Sequence, residues 1–341
     1  MNLTELNKVA TAMVAPGRGI LAADESTGTI KKRFDSIGVE STSDSRRDYR
    51  EMLFRSGEAM SKYISGVILY DETIRQTAKD GTPLVKLIDK AGSIPGIKVD
   101  KGTKPLPFCA GEVITEGLDS LRERLVEYRG LGAKFAKWRA VIDIGASMPS
   151  YSCIAANAHA LARYAALCQD ETIVPIVEPE VLMDGDHDID RCVAVTTWVL
   201  KETFQELFYN RVALEGIVLK PNMAVPGKKS AKRASVEEVA ENTARMLKEC
   251  VPAAVPGIAF LSGGQSDEEA TAHLDAINKL GDLPWRVTFS YGRALQASPQ
   301  KAWSGKAENV AAAQRAFNHR AMMNGLATLG QWKADLERKA A

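Results

Sequence analysis

A chain of 341 residues with 44 Lys+Arg against 43 Asp+Glu is close to neutral, so its overall charge does not direct it to nucleic acid or a membrane surface. The 5 cysteines (Cys109, Cys153, Cys168, Cys192, Cys250) are odd in number, scattered and without a C-x-x-C pair. That argues against a disulfide framework or zinc knuckle and makes a reducing compartment the default.

The first element is helical. Leu3, Leu6, Val9, Ala10 and Met13 recur at helical spacing within residues 1–15, and the acidic residues there are unlike a targeting peptide. No apolar run approaches the ~18 residues of a membrane helix, so a soluble, cytoplasmic protein is expected. Eight short apolar runs bounded by Gly or Pro follow: GILAAD (19–24), SGVILYDE (65–72), GIKVDKG (96–102), FAKWRAVI (135–142), VPIVEPE (174–180), GIVLKPN (216–222), GIAFLSGG (257–264) and RVTFSYG (286–292). Their apolar character is continuous rather than alternating, which suits parallel strands buried on both faces.

Amphipathic stretches separate the runs, such as Leu118, Leu121, Leu125 and Tyr128, or Val236, Val239, Ala240, Thr243 and Leu247. Two helices open with Ser-x-x-Glu, at Ser235 and Ser266. Eight βα units predict an α/β fold, a (β/α)8 barrel forming one domain over residues 1–341. A doubly wound open sheet is the rival; it would call for a glycine-rich loop after the first strand, which LAADES does not supply. The tail at 331–341 is polar and expected to be loosely held.

The charges sit within or just after the apolar runs: Asp24, Lys98, Lys137, Arg139, Glu178, Glu180 and Lys220. A desolvated charge costs several kcal/mol unless paired, so the set implies pairing or function at the C-terminal mouth of a barrel. Lys220 closes its run and Pro221 ends the strand. A lysine that attacks a carbonyl must first lose its proton, and burial beside a cation such as Lys137 favours that; Glu178 could then move the protons. A buried Lys220–Glu178 ion pair without chemistry is an equal reading of these residues alone.

Ser262-Gly263-Gly264 precede a capped helix, and Ser290, Gly292 and Arg293 repeat the pattern after the last strand. These are the two loops where barrels of this kind hold phosphate. A second basic group, Lys31, Lys32, Arg33, Arg46 and Arg47, lies near the start; it reads as a solvated helix face, or as the second grip that a substrate with phosphate at both ends would need. The 4 histidines show no metal-ligand spacing, so neither metal nor cofactor is expected. Asp184-Gly185-Asp186-His187-Asp188 reads as a helix N-terminus rather than a cation loop.

Taken together, LAADESTG, GIKVDKG, FAKWR, VPIVEPE, LKPNM, FLSGGQS and FSYGRALQ closely resemble class I fructose-bisphosphate aldolase over about residues 9–330. The resemblance implies metal-independent cleavage of fructose 1,6-bisphosphate to dihydroxyacetone phosphate and glyceraldehyde 3-phosphate. It makes Lys220 the Schiff-base nucleophile, Glu178 the proton-transfer residue, Asp24 the carboxylate at the C4 hydroxyl and Lys137 an assistant in carbinolamine chemistry. Glu180 and Lys98 match supporting charges. Ser262, Gly263, Gly264, Ser290, Gly292 and Arg293 match a phosphate grip; Ser26, Thr29, Arg33 and Arg139 match positions toward the substrate's other end. The implied partner is a small phosphorylated sugar, with no nucleic acid and no membrane, and the implied assembly a homotetramer with a dimer as alternative. Many animal and plant members end in a longer tail with a terminal tyrosine, whereas this chain ends DLERKAA.

Overall fold

The structure is a computed structural model describing residues 1–340; Ala341, the last residue of the expected tail, lies outside the described residues. The eight apolar runs form eight strands: β1 (Gly19–Ala23), β2 (Ile64–Leu69), β3 (Ile94–Lys98), β4 (Phe135–Ile142), β5 (Val174–Val181), β6 (Val218–Leu219), β7 (Gly257–Phe260) and β8 (Arg286–Tyr291). Each pairs in parallel with the next, and β1 closes on β8 through the register Ile20 with Ser290, giving a closed (β/α)8 barrel. Strand β6 is short because a 3-10 turn at Leu214–Gly216 leads into it and Pro221, which lacks an N–H, follows it.

Two apolar layers hold the barrel. Outside, the strands pack against the helices around Trp138, which is fully buried and stacks on Tyr164 with ring centroids 5.6 Å apart. Inside, Ile20, Ile68, Phe135, Val174, Ile176 and Val218 fill the lower barrel. The helix Leu3–Met13 turns Leu6, Ala10 and Met13 into that inner cluster, plugging the end opposite the mouth. Phe135 is the bulkiest filler, and Gly96 lies against it: a Cβ at Gly96 would come within 2.3–2.5 Å of the ring.

Ser266 and Glu269 form the full capping box, whereas Ser235 accepts from Glu238 N without the return bond. A short antiparallel hairpin, Thr103–Pro105 with Val113–Thr115, follows β3 and was not anticipated. The tail departs from the loose coil expected of its polarity. Glu337 meets His319 at 2.9 Å and Arg320 at 2.5 Å, and accepts from the Trp332 indole at 3.0 Å. Among the described residues, no helix is long and apolar enough to cross a membrane.

Candidate active site

Side chains alternate across a strand, so every second residue faces the barrel axis. On β5 the inward column runs Val174, Ile176, Glu178, Glu180; on β4 it runs Phe135, Lys137, Arg139; on β6, Val218 is followed by Lys220. Each column is apolar at the plugged end and charged at the mouth. This is why charges appear inside otherwise apolar runs. The pairing of Ile176 with Val218 carries Glu178 level with Lys220, and Lys220 N donates to Val177 O at 2.8 Å.

The charges meet on the floor of a cavity of about 750 Å³. Lys220 Nζ lies 3.1 Å from Glu178 Oε1, while Lys137 Nζ lies 3.4 Å from Glu178 Oε2 and 2.7 Å from Asp24 Oδ2. All four residues are at least nine-tenths buried. Burial works against the charge on Asp24, but the ammoniums of Lys137 and Lys220 outweigh it and hold the carboxyl at about 2. Burial opposes the Lys137 charge too, yet Asp24 and Glu178 raise it above the ordinary lysine value. Lys137 is therefore a firmly charged bridge between two carboxylates.

Around this centre, Lys98 pairs with Asp100 at 2.6 Å, and Arg139 pairs with Glu180. Asp100 also accepts from the Arg139 backbone N–H at 3.2 Å, so it organises both cations. The expected phosphate residues reach the same cavity: Ser262 and Gly263 from one loop, and Ser290, Gly292 and Arg293 from the other. The Ser290 hydroxyl is buried and has no hydrogen-bond partner among the described residues, a polar group free to meet a ligand. Gly263 has φ +62, the left-handed region that favours glycine. Gly264, although named in the sequence reading, does not line the cavity.

Ser26, Thr29 and Arg33 come from the helix Thr27–Asp35 and its cap, and all three line the cavity. Arg33 is placed beside the last loop: a Cβ at Gly292 would lie 3.8 Å from Arg33 Nη2. Its position is thus shared with the grip after β8, rather than confined to the opposite end. The rest of that basic group does not line the cavity; Lys31 pairs with Asp35, Arg46 with Glu72, and Arg47 with Asp44 and Asp48.

Sequence reasoning missed what holds Arg33. Glu25 meets Arg33 Nη1 at 2.5 Å, and its backbone carbonyl accepts from the buried Arg50 at 2.8 Å. Gln296 donates to Glu25 Oε1 at 2.8 Å. The available signal was an acidic residue directly after Asp24, which must point away from Asp24 and so needs partners of its own. Among the described residues, no group of three or more His, Cys, Asp or Glu side chains could hold a metal ion.

Fold and site define a (β/α)8 barrel whose mouth gathers two buried lysines and two buried carboxylates below two glycine-bearing loops. The family model Fructose-bisphosphate aldolase class-I matches residues 5–341, and the chain belongs to the class-I fructose-bisphosphate aldolase family. It is 57% identical over 334 residues, 98% of this chain and 100% of the relative, to a probable fructose-bisphosphate aldolase class 1 of Xanthomonas campestris pv. campestris. It is 54% identical to fructose-bisphosphate aldolase of Drosophila melanogaster, covering 97% of this chain and 91% of that one. Fructose-bisphosphate aldolase 4, cytosolic, of Arabidopsis thaliana is 53% identical, with 98% and 85% covered. Among solved structures, fructose-bisphosphate aldolase from Plasmodium falciparum, in complex with TRAP and a small molecule inhibitor, superimposes with a TM-score of 0.95. It is 49% identical, covering 97% of this chain and 96% of that one. The protein is an aldolase of glycolysis acting on a phosphorylated sugar.

Proposed function

We propose that the enzyme cleaves fructose 1,6-bisphosphate through a Schiff base on Lys220, without a metal, and runs the reverse condensation. The observation that carries this reading is the 3.1 Å contact of Lys220 with Glu178, in a floor where Lys137 ties Glu178 to Asp24.

The Lys220 amine, its proton passed to Glu178, attacks the C2 carbonyl. The carbinolamine loses water with Glu178 returning the proton and Lys137 supporting the developing charge. The protonated imine then withdraws electrons: Asp24 takes the C4 hydroxyl proton, the C3–C4 bond breaks, and its electron pair passes into the imine as an enamine. Glyceraldehyde 3-phosphate leaves. Protonation at C3 and hydrolysis of the imine release dihydroxyacetone phosphate and restore Lys220. Ser262, Gly263, Ser290, Gly292 and Arg293 hold one phosphate with Arg33 beside Gly292, and Ser26, Thr29 and Arg139 face the substrate toward its other end, where Glu180 pairs with Arg139 and Asp100 with Lys98. The enzyme works in the cytoplasm as a homotetramer, or failing that a dimer.

Borohydride added with dihydroxyacetone phosphate is expected to inactivate the protein and leave one mass adduct on Lys220, absent in Lys220→Met. Turnover should persist in excess chelator. An active enzyme that gives no adduct, or one silenced by chelator, would refute the mechanism.

A further inference from the structure

The loop after β6 brings a further cation to the glycine loop after β7. Its backbone is fixed: Lys228 N donates to Met183 O at 2.7 Å, Gly227 N to His187 O at 2.9 Å, and Lys229 N to Gly185 O at 3.0 Å. Residues 227–229 are thereby laid along residues 183–187, and the Lys228 side chain falls over Gly264. A Cβ at Gly264 would lie 2.4 Å from both Cε and Nζ of Lys228. Gly264, which does not line the cavity, is instead the bare backbone that admits this ammonium.

Lys228 Nζ meets Asp184 Oδ1 at 2.7 Å, with the two side chains 41% and 60% exposed. That hydrogen bond holds the Asp184 carboxyl below its ordinary value against partial burial, and Arg293 and Lys229 add to the same field. Arg293 in turn donates to Gly263 O at 2.8 Å. A carboxylate is thus set among cations at the rim of the proposed phosphate grip. Asp184 belongs to the acidic stretch read as a helix start, but the residue that caps the helix Ile189–Tyr209 is Asp188, leaving Asp184 for this pairing.

We propose that Lys228 is a phosphate-binding residue of this enzyme and Asp184 its internal competitor. The substrate phosphate seated at Ser262 and Gly263 takes the Lys228 ammonium from the Asp184 carboxylate. The proposal rests on the reading of that loop as a phosphate grip. An exposed lysine–aspartate pair is weak, while a phosphate brings more charge and more acceptor oxygens to the same ammonium.

The test is steady-state kinetics with fructose 1,6-bisphosphate, with inorganic phosphate as the competing probe. Lys228→Met should raise both KM and the phosphate inhibition constant about tenfold with kcat within about twofold, the pattern of lost uniform binding. Lys228→Arg should stay near wild type, and Asp184→Asn should lower both constants. The double variant Lys228→Met with Asp184→Asn should keep most of the Lys228→Met loss. A double variant with wild-type affinity would assign the effect to an uncovered Asp184 and overturn the proposal. So would Lys228→Met with both constants unchanged in an otherwise active enzyme. Wild-type protein that neither turns over nor traps the imine would instead overturn the reading beneath it.

Discussion

Lys137 Nζ lies 2.7 Å from Asp24 Oδ2, an ion pair buried on both sides that joins the end of β1 to the middle of β4. Asp24 depends on it for its charge. In Lys137→Met, burial is left to act with less opposition, and the Asp24 carboxyl should rise from about 2. A depressed carboxyl adds stability that is complete above its unfolded value, ~3.9, and is lost as pH falls through the folded one. The wild-type kcat/KM profile should therefore show no acid limb from Asp24 above about pH 4, whereas Lys137→Met should show one at higher pH and a loss of about 10²–10⁴ in rate. A profile of unchanged shape would argue against the coupling.

Glu178 and Lys220 are expected to respond differently to removal. Glu178→Gln leaves two buried ammoniums around a neutral amide, and imine trapping should slow by about 10²–10⁴. Lys220→Met should abolish trapping outright, but Glu178 keeps Lys137 at 3.4 Å. Its stability cost should therefore fall below the ~3–5 kcal/mol typical of a broken buried pair. Urea midpoints of the two variants, read beside adduct mass, check both expectations.

Gly96→Ala would drive a methyl group into the Phe135 ring in the filled lower barrel. Overpacking of this kind costs about 1–3 kcal/mol. A lower urea midpoint is expected, with the activity of the folded fraction preserved, and Phe135→Leu in the same chain should recover part of the loss. A silent Gly96→Ala would mean that the ring has room to move.

Glu337 ties the tail to the body through Arg320, which is 4% exposed. Burial pushes the Glu337 carboxyl up, but Arg320 and His319 outweigh it, so the carboxyl sits below its ordinary value. The stability it adds is present above ~4.3 and lost as pH falls below that. Glu337→Gln should destabilise the protein by about 1–3 kcal/mol at pH 7. The gap should close as the buffer is made acid, and the tail should become easier to clip with protease. A gap independent of pH would show that packing of Trp332, not charge, holds the tail.

What the sequence disclosed follows from burial. All eight residues of β5 are buried, so VPIVEPE reads as one uninterrupted run in which Glu178 and Glu180 stand out. Lys220 stands out in the same way. The hairpin after β3 did not, because Thr103–Pro105 is exposed at each residue and carries no apolar pattern to read. Arg50 was equally hidden. It lies on the buried side of the helix Ser43–Phe54 and donates to the Glu25 carbonyl, a tertiary arrangement. Lys228 beside Gly264 is a meeting of two loops, and no local spacing reports such a meeting.

The seam between Ile20 and Ser290 has a bearing on how the protein is made. A chain leaving the ribosome presents Asp24 early and Arg293 near the end, so a partial product that stops before β8 lacks a share of the site. Closing the ring is a long-range event that must wait until most of the chain has been made. A ligand that grips the Thr27–Asp35 helix on one side of the seam and the Gly292 loop on the other binds the closed ring better than any open one. It would stabilise the ring by RT ln(1 + [L]/Kd) and act as a clasp for the newborn enzyme.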